Sequence, residues 1–306
     1  MNTLFKSLNR HIFICLFFAG ISLFTACEDY FKPQNIVVDL PEHQNLLVIN
    51  SVLNPDSVIQ VSVAQSADLL QKPINPFIET ARVELYQSDQ LIANLSHTTN
   101  GLYQTAGMTP EIGQTYSIRV SADGFQPVFA TTEIPKTVVI DSMKIKSRVD
   151  PNRWRNQVDL TISFFDPADQ ENFYQLLLYE FHQRTDGTGW TWTQNFWTRD
   201  AVLQDRNNFE DETWHRNYAL FDDSLFNGQA YHLKISARKA SEAYTATFVV
   251  VLLSAAESYH RYFKTLVRQA DTDGNPFAEP VQIFSNIEQG VGVFTAVSAS
   301  KITIKL

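Results

Sequence analysis

From residue 46 onward, apolar and polar residues alternate in short runs of a half-buried strand's period, with turn signals between them. Residues 46–53 (LLVINSVL), 58–64, 81–87, 91–96, 101–105, 115–121 and 128–134 each fit this template. Asn54-Pro55-Asp56, Ser88-Asp89, Asn100-Gly101 and Asp123-Gly124 supply turn chemistry between several of them, and Pro135 follows the last. A second set covers 138–147, 157–165, 173–183, 190–198, 230–239 and 245–253. Within it, Val158, Leu160, Ile162 and Phe164 share one face, while Asp159, Thr161 and Ser163 share the other. Asp166-Pro167 ends that run, and Asp186-Gly187-Thr188-Gly189 predicts a hairpin joining the next two.

One segment has a different period. Ser254 with Glu257 three places on has the form of a capping box, and Tyr259, Tyr262, Phe263, Leu266 and Val267 recur at helical steps, predicting a helix over 254–270 packed on the second set of strands. The closing residues give Gly290-Val291-Gly292-Val293-Phe294 and then a terminal strand over 301–304. The fold class is therefore mainly β: two β-sandwich domains, residues 46–135 and 136–306, with one helix towards the C-terminus. The first is expected to be immunoglobulin- or transthyretin-like and the second fibronectin type III-like.

The amino terminus is neither strand nor tether. Lys6 and Arg10 precede an apolar run over 12–24, and Leu23-Phe24-Thr25-Ala26 leads into Cys27, the form of a bacterial lipoprotein signal over residues 1–26. The run falls short of the roughly 20 apolar residues of a membrane span. Cleavage before Cys27 would remove Cys15 and leave Cys27 as the mature protein's sole cysteine, to be lipidated. The acidic pair Glu28-Asp29 resembles the signal with which Bacteroidota export lipoproteins to the outer face of the outer membrane. Residues 27–45, with Pro33 and Pro41, read as a tether, of which 28–45 could reach roughly 60 Å at about 3.3 Å per residue.

Without its first 26 residues the chain has 280, with 22 basic against 33 acidic side chains, a net charge of −11. That balance disfavours nucleic acid as a partner. Motifs for a nucleophile elbow, a zincin helix, a redox dithiol or a phosphate loop are absent from the sequence. Ser236-x-x-Lys239 and Ser298-x-x-Lys301 fall in expected strands without the companion motifs of serine-lysine enzymes. Asp271, Asp273 and Asn275 have the spacing of a calcium loop, but Pro276 stands where an EF-hand needs glycine and Gln282 where it needs glutamate, so a helix-ending turn is expected. Glu210, Asp211, Glu212, His215, Asp222 and Asp223 crowd one polar stretch without a second nearby histidine, and read as a solvated loop. No metal and no cofactor are expected. The candidate binding residues are Trp190, Trp192, Phe196 and Trp197, with Trp214 nearby: aromatics that either fill a core or form an exposed platform for sugar rings or a partner protein.

Several segments occur in a characteristic order. They are the lipidation sequence, the entry from Val38-Asp39-Leu40-Pro41 to Val48, the junction from Ile134-Pro135 to Ile140-Asp141-Ser142, Asp166-Pro167 with Glu171-Asn172-Phe173-Tyr174, then Asn275-Pro276-Phe277, Ser285-Asn286-Ile287 and the 290–294 run. Together they resemble the Bacteroidota lipoprotein family catalogued as domain of unknown function 4249, over nearly the whole mature chain. The resemblance implies an accessory or substrate-handling role beside a TonB-dependent outer-membrane receptor and carries no catalytic residues. The expectation is thus a non-enzymatic, surface-anchored lipoprotein. A stand-alone carbohydrate- or peptide-binding module is the alternative, and a hydrolase assembled from scattered residues is the third reading.

Overall fold

A computed structural model of the chain describes residues 45–67, 75–150, 155–183, 188–203, 217–238, 245–272, 277–279 and 281–305. The expected signal segment, Cys27, Glu28, Asp29 and the tether as far as Gln44 lie outside the described residues, as do Glu210, Asp211, Glu212, Trp214 and His215. Asn45–Leu306 forms one compact unit.

The first group of strands is β1 (Leu47–Leu53), β2 (Gln60–Gln65), β3 (Arg82–Gln87), β4 (Gln90–Thr99), β5 (Leu102–Gln104), β6 (Thr115–Ser121) and β7 (Val128–Glu133). The rest are β8 (Ile140–Asp150), β9 (Arg155–Phe165), β10 (Phe173–Gln183), β11 (Gly189–Thr193), β12 (Phe196–Trp197), β13 (Tyr218–Asp222), β14 (Ala230–Arg238), β15 (Thr245–Ala255), helix α1 (Glu257–Thr272) and β16 (Val291–Lys305). Ser88-Asp89 and Asn100-Gly101 take positive φ values at tight turns, the first joining β3 to β4 and the second β4 to β5.

One long hydrogen-bonded sheet runs β11-β10-β15-β16-β1-β2-β5-β4-β3-β6-β7, with β13 also on β10. Its far end folds back, so that β3, β6 and β7 pack on β1 and β2 around Ile49, Val61, Leu85, Ile118 and Phe294. The four-stranded sheet β12-β14-β9-β8 faces β10 and β15 across a second cluster, which includes Leu160, Ile162, Leu176, Leu178, Leu233 and Phe248. The architecture is mainly β and sandwich-like, as the alternation predicts.

β15 shows why its sequence reads as a continuous apolar run. Phe248, Val250 and Leu252 face the second cluster, while Val251, Leu253 and Ala255 face a third that is closed by Tyr259 and Phe263 of α1. A strand covered on both faces has no polar side to show.

Three expectations change. The helix starts at Glu257, because Ser254 continues β15 opposite Ser298, and its hydroxyl accepts the Val138 N–H at 2.9 Å instead of capping the helix. The segment 190–198 is two strands on two sheets. The 290–294 and 301–304 pieces belong to one 15-residue strand, β16. Its first part runs parallel to β1, from Val48↔Val291 to Leu53↔Ala296, and its second antiparallel to β15, from Ala255↔Val297 to Thr247↔Lys305. Through this strand the chain's end reaches the first cluster, where Ile287, Phe294 and Ala296 pack. β13 was not signalled by alternation.

Candidate functional site

The aromatic segment 190–197 is built around a change of sheet. β11 lies on the edge of β10 with Trp192 opposite Glu180 and Trp190 opposite His182. The Gln194 N–H then donates to the Leu178 carbonyl at 2.7 Å, and its side chain donates to the Arg238 carbonyl at 3.0 Å. Two residues later β12 pairs with β14, Phe196↔Ala237 and Trp197↔Ser236. Phe196 is 3% exposed and sits in the second cluster, so it is a core residue and not part of an exposed platform. Trp197 is half-buried, and its register with Ser236 places it on the opposite, outward face. The side chains of Trp190 and Trp192 lie outside the described ones.

The outward face beside Trp197 has a regular layout. Because Val158, Leu160, Ile162 and Phe164 point into the core, Gln157, Asp159, Thr161 and Ser163 of β9 point away from it. Cross-strand register then fixes four rows: Ser142, Ser163 and His232; Lys144, Thr161 and Lys234; Lys146, Asp159, Ser236 and Trp197; Arg148, Gln157 and Arg238. The short side chains occupy the middle strand and the long cations the strands on either side. The result is a trough along β9, railed by Lys144, Lys146 and Arg148 on β8 and by Lys234 and Arg238 on β14, all five exposed. Its rails stand about 10 Å apart at two strand spacings, and cations two residues apart on β8 are about 7 Å apart.

The floor is hydrogen-bonded. Asp159 accepts from the Ser236 hydroxyl at 2.7 Å and pairs with the Arg148 guanidinium at 2.8 Å, while Ser163 Oγ meets His232 Nδ1 at 2.8 Å. In these four rows Asp159 is the one carboxylate against five Lys and Arg side chains.

A second polar cluster is structural. Tyr174 donates its hydroxyl to Asp166 Oδ1, and the Gly228 N–H donates to Oδ2 at 2.9 Å, so both carboxylate oxygens are engaged. Asp223 Oδ2 accepts the Asn172 N–H at 2.9 Å, and the Asn172 amide donates to the carbonyls of Pro167 and Gln170. Phe164, Phe221, Phe226 and Tyr231 pack around Tyr174 and one another. Burial pushes the Asp166 carboxyl above its usual range against its two hydrogen bonds, and pushes the Tyr174 phenol far above its own. Asp223 thus leaves the expected solvated loop and becomes a buried clamp on the turn after β9. Among the described residues no group of His, Cys, Asp and Glu is arranged to hold a metal.

His260, in the first turn of α1, is 5% exposed, with its ring tilted against that of Phe173 at a centroid distance of 5.0 Å. Burial lowers its pKa to about 4, with Lys264 acting in the same direction and Asp222 and Glu257 opposing. Its unfolded value is near 6.5, so the unfolded chain binds the extra proton first and stability falls as pH drops from 6.5 towards 4. The loss at full protonation is about 3 kcal/mol. Urea unfolding at pH 7 and pH 4 should show the wild type losing about 3 kcal/mol more than His260→Phe. Equal losses would contradict the buried neutral imidazole.

With the geometry in place, the chain can be set beside known protein families. The model of the family described as Domain of unknown function (DUF4249) matches residues 34–303. The chain belongs to this family. The DUF4249 match spans both main clusters, the trough and nearly all of β16. No curated protein matches the chain. Among the residues carrying the family resemblance, Asp166, Asn172 and Tyr174 belong to the buried clamp and Asn286 holds Phe294 by two backbone hydrogen bonds, so these help to hold the fold together. The trough went unread in the sequence, although Lys144-x-Lys146-x-Arg148 and Lys234-x-Ser236-x-Arg238 were its period-two signals.

Proposed function

We propose that this protein is a Bacteroidota lipoprotein, held by lipid on Cys27 at the outer face of the outer membrane, where it serves without catalysis as an accessory to a TonB-dependent uptake receptor. The observation that carries the reading is the run from Ile12 to Asp29, an export and lipidation sequence ending in Cys27-Glu28-Asp29, followed after a short tether by a compact body from Asn45. Membership of the DUF4249 family supports it through the accessory role that the resemblance implies. The acidic body supports it as well, because it would stand off from anionic headgroups on its tether. The exposed trough favours a second reading, a surface module that binds its own ligand without a receptor.

Co-purification separates these readings. The native protein, extracted from outer membranes in mild detergent, is expected to bring down a large barrel receptor in near-stoichiometric amount. Recovery of the lipoprotein alone would sink the accessory role and leave the stand-alone binder.

A further inference from the structure

The basic trough is at odds with the chain's overall charge. A protein of net charge −9 has no electrostatic need to gather five cations on one sheet face, yet the register of β8, β9 and β14 places them in two rails with one carboxylate between. Such a face attracts a negatively charged partner despite the acidic remainder, because screening over roughly 10 Å confines each interaction to its neighbourhood.

We propose that the trough binds an acidic polysaccharide, an extended chain of uronate-bearing sugars lying along β9. Its carboxylates pair with Lys144 and Lys146 on one side and with Lys234 and Arg238 on the other, while Arg148 stays with Asp159. Its hydroxyls meet the floor, where Ser163, Thr161 and Asp159 offer oxygen partners, and Trp197 at the rim of the Asp159 row provides a face for a sugar ring.

The floor selects between kinds of polyanion. Asp159 is partly exposed and has lone pairs beyond those used by Ser236 and Arg148, so it accepts hydrogen bonds from sugar hydroxyls. A phosphodiester backbone meets the same carboxylate with fewer hydroxyls to donate to it. Among the described side chains, the one tryptophan at the rim also falls short of the successive aromatic platforms on which single-stranded nucleic acid stacks. The rails, about 10 Å apart with about 7 Å steps along β8, suit a slender chain with charges on both sides.

This inference goes beyond lipid anchoring and the receptor reading, and the binding it predicts needs neither. The test uses the full-length protein in an uncharged polyoxyethylene detergent and measures binding of an oligogalacturonate of about eight units by calorimetry. A neutral cello-oligosaccharide and a single-stranded oligothymidylate of similar length serve as competitors. The expected result is saturable oligogalacturonate binding, weakened about tenfold between roughly 50 and 200 mM salt. The double variant Lys144→Gln/Lys234→Gln should weaken it at least about tenfold with an unchanged melting temperature, since both side chains are exposed. No binding by the wild type, full binding by the double variant, or tighter binding of the oligothymidylate would each overturn the proposal. A failed co-purification with a receptor bears only on the accessory reading.

Discussion

Alanine at Gly292 will destabilise the protein by about 4 kcal/mol or more, enough to leave much of it unfolded, because the position combines two costs. Gly292 has φ +112, a conformation that side chains with a Cβ rarely adopt, and an added Cβ would lie 2.1 Å from the carbonyl oxygen of Ile49. Ile49 is its register partner on β1, so relief requires β1 and β16 to separate. Ile49, Phe294 and Ala296, all 0% exposed, would then lose their packing together. Gly124→Ala is the control: φ is +84, but nothing lies within 4 Å of the added Cβ, so only the backbone cost of about 1–2 kcal/mol applies. Urea unfolding of both variants should separate them clearly. Equal costs would mean that β1 and β16 do not approach as closely as described.

The second large effect concerns location. On the proposed reading, Cys27→Ser should abolish lipid labelling and remove the protein from the outer-membrane fraction, since several acyl chains at about 0.8 kcal/mol per buried methylene would supply the anchor. Glu28→Ala/Asp29→Ala should behave differently, keeping the lipid and the membrane fraction while losing access to protease added to intact cells. A Cys27→Ser protein still found with outer membranes would show that something other than lipid holds it there.

The sequence made most strands legible because each of them buries one face. Val158, Leu160, Ile162 and Phe164 are all fully or nearly fully buried, and the alternate residues are not carried into that core. Legibility failed where buried positions are polar and satisfied. Ser300 interrupts the apolar pattern of β16, yet it is buried and accepts the Ile140 N–H at 2.9 Å. A hydroxyl with a backbone partner fits a core position that pattern reading assigns to a loop. Ser254 misled in the same way, its hydroxyl serving Val138 across the sheets while its sequence context resembled a helix cap.

The candidate site was legible only in part, for a topological reason. Trp197 was singled out because tryptophans are conspicuous, and Phe196 with it, but the strand break at Gln194-Asn195 sends these neighbours to opposite faces of another sheet. Lys144 and Lys234 are far apart in sequence and meet only through Thr161, which pairs with both. Net charge, summed over the chain, hides such a local reversal of sign.

Lipid anchoring at Cys27 is tested most directly by the mass of the amino-terminal peptide of the native protein isolated from outer membranes. The expected peptide begins at Cys27 and is heavier by a diacylglycerol and an amide-linked acyl chain. A peptide that begins upstream, or an unmodified Cys27, would contradict it.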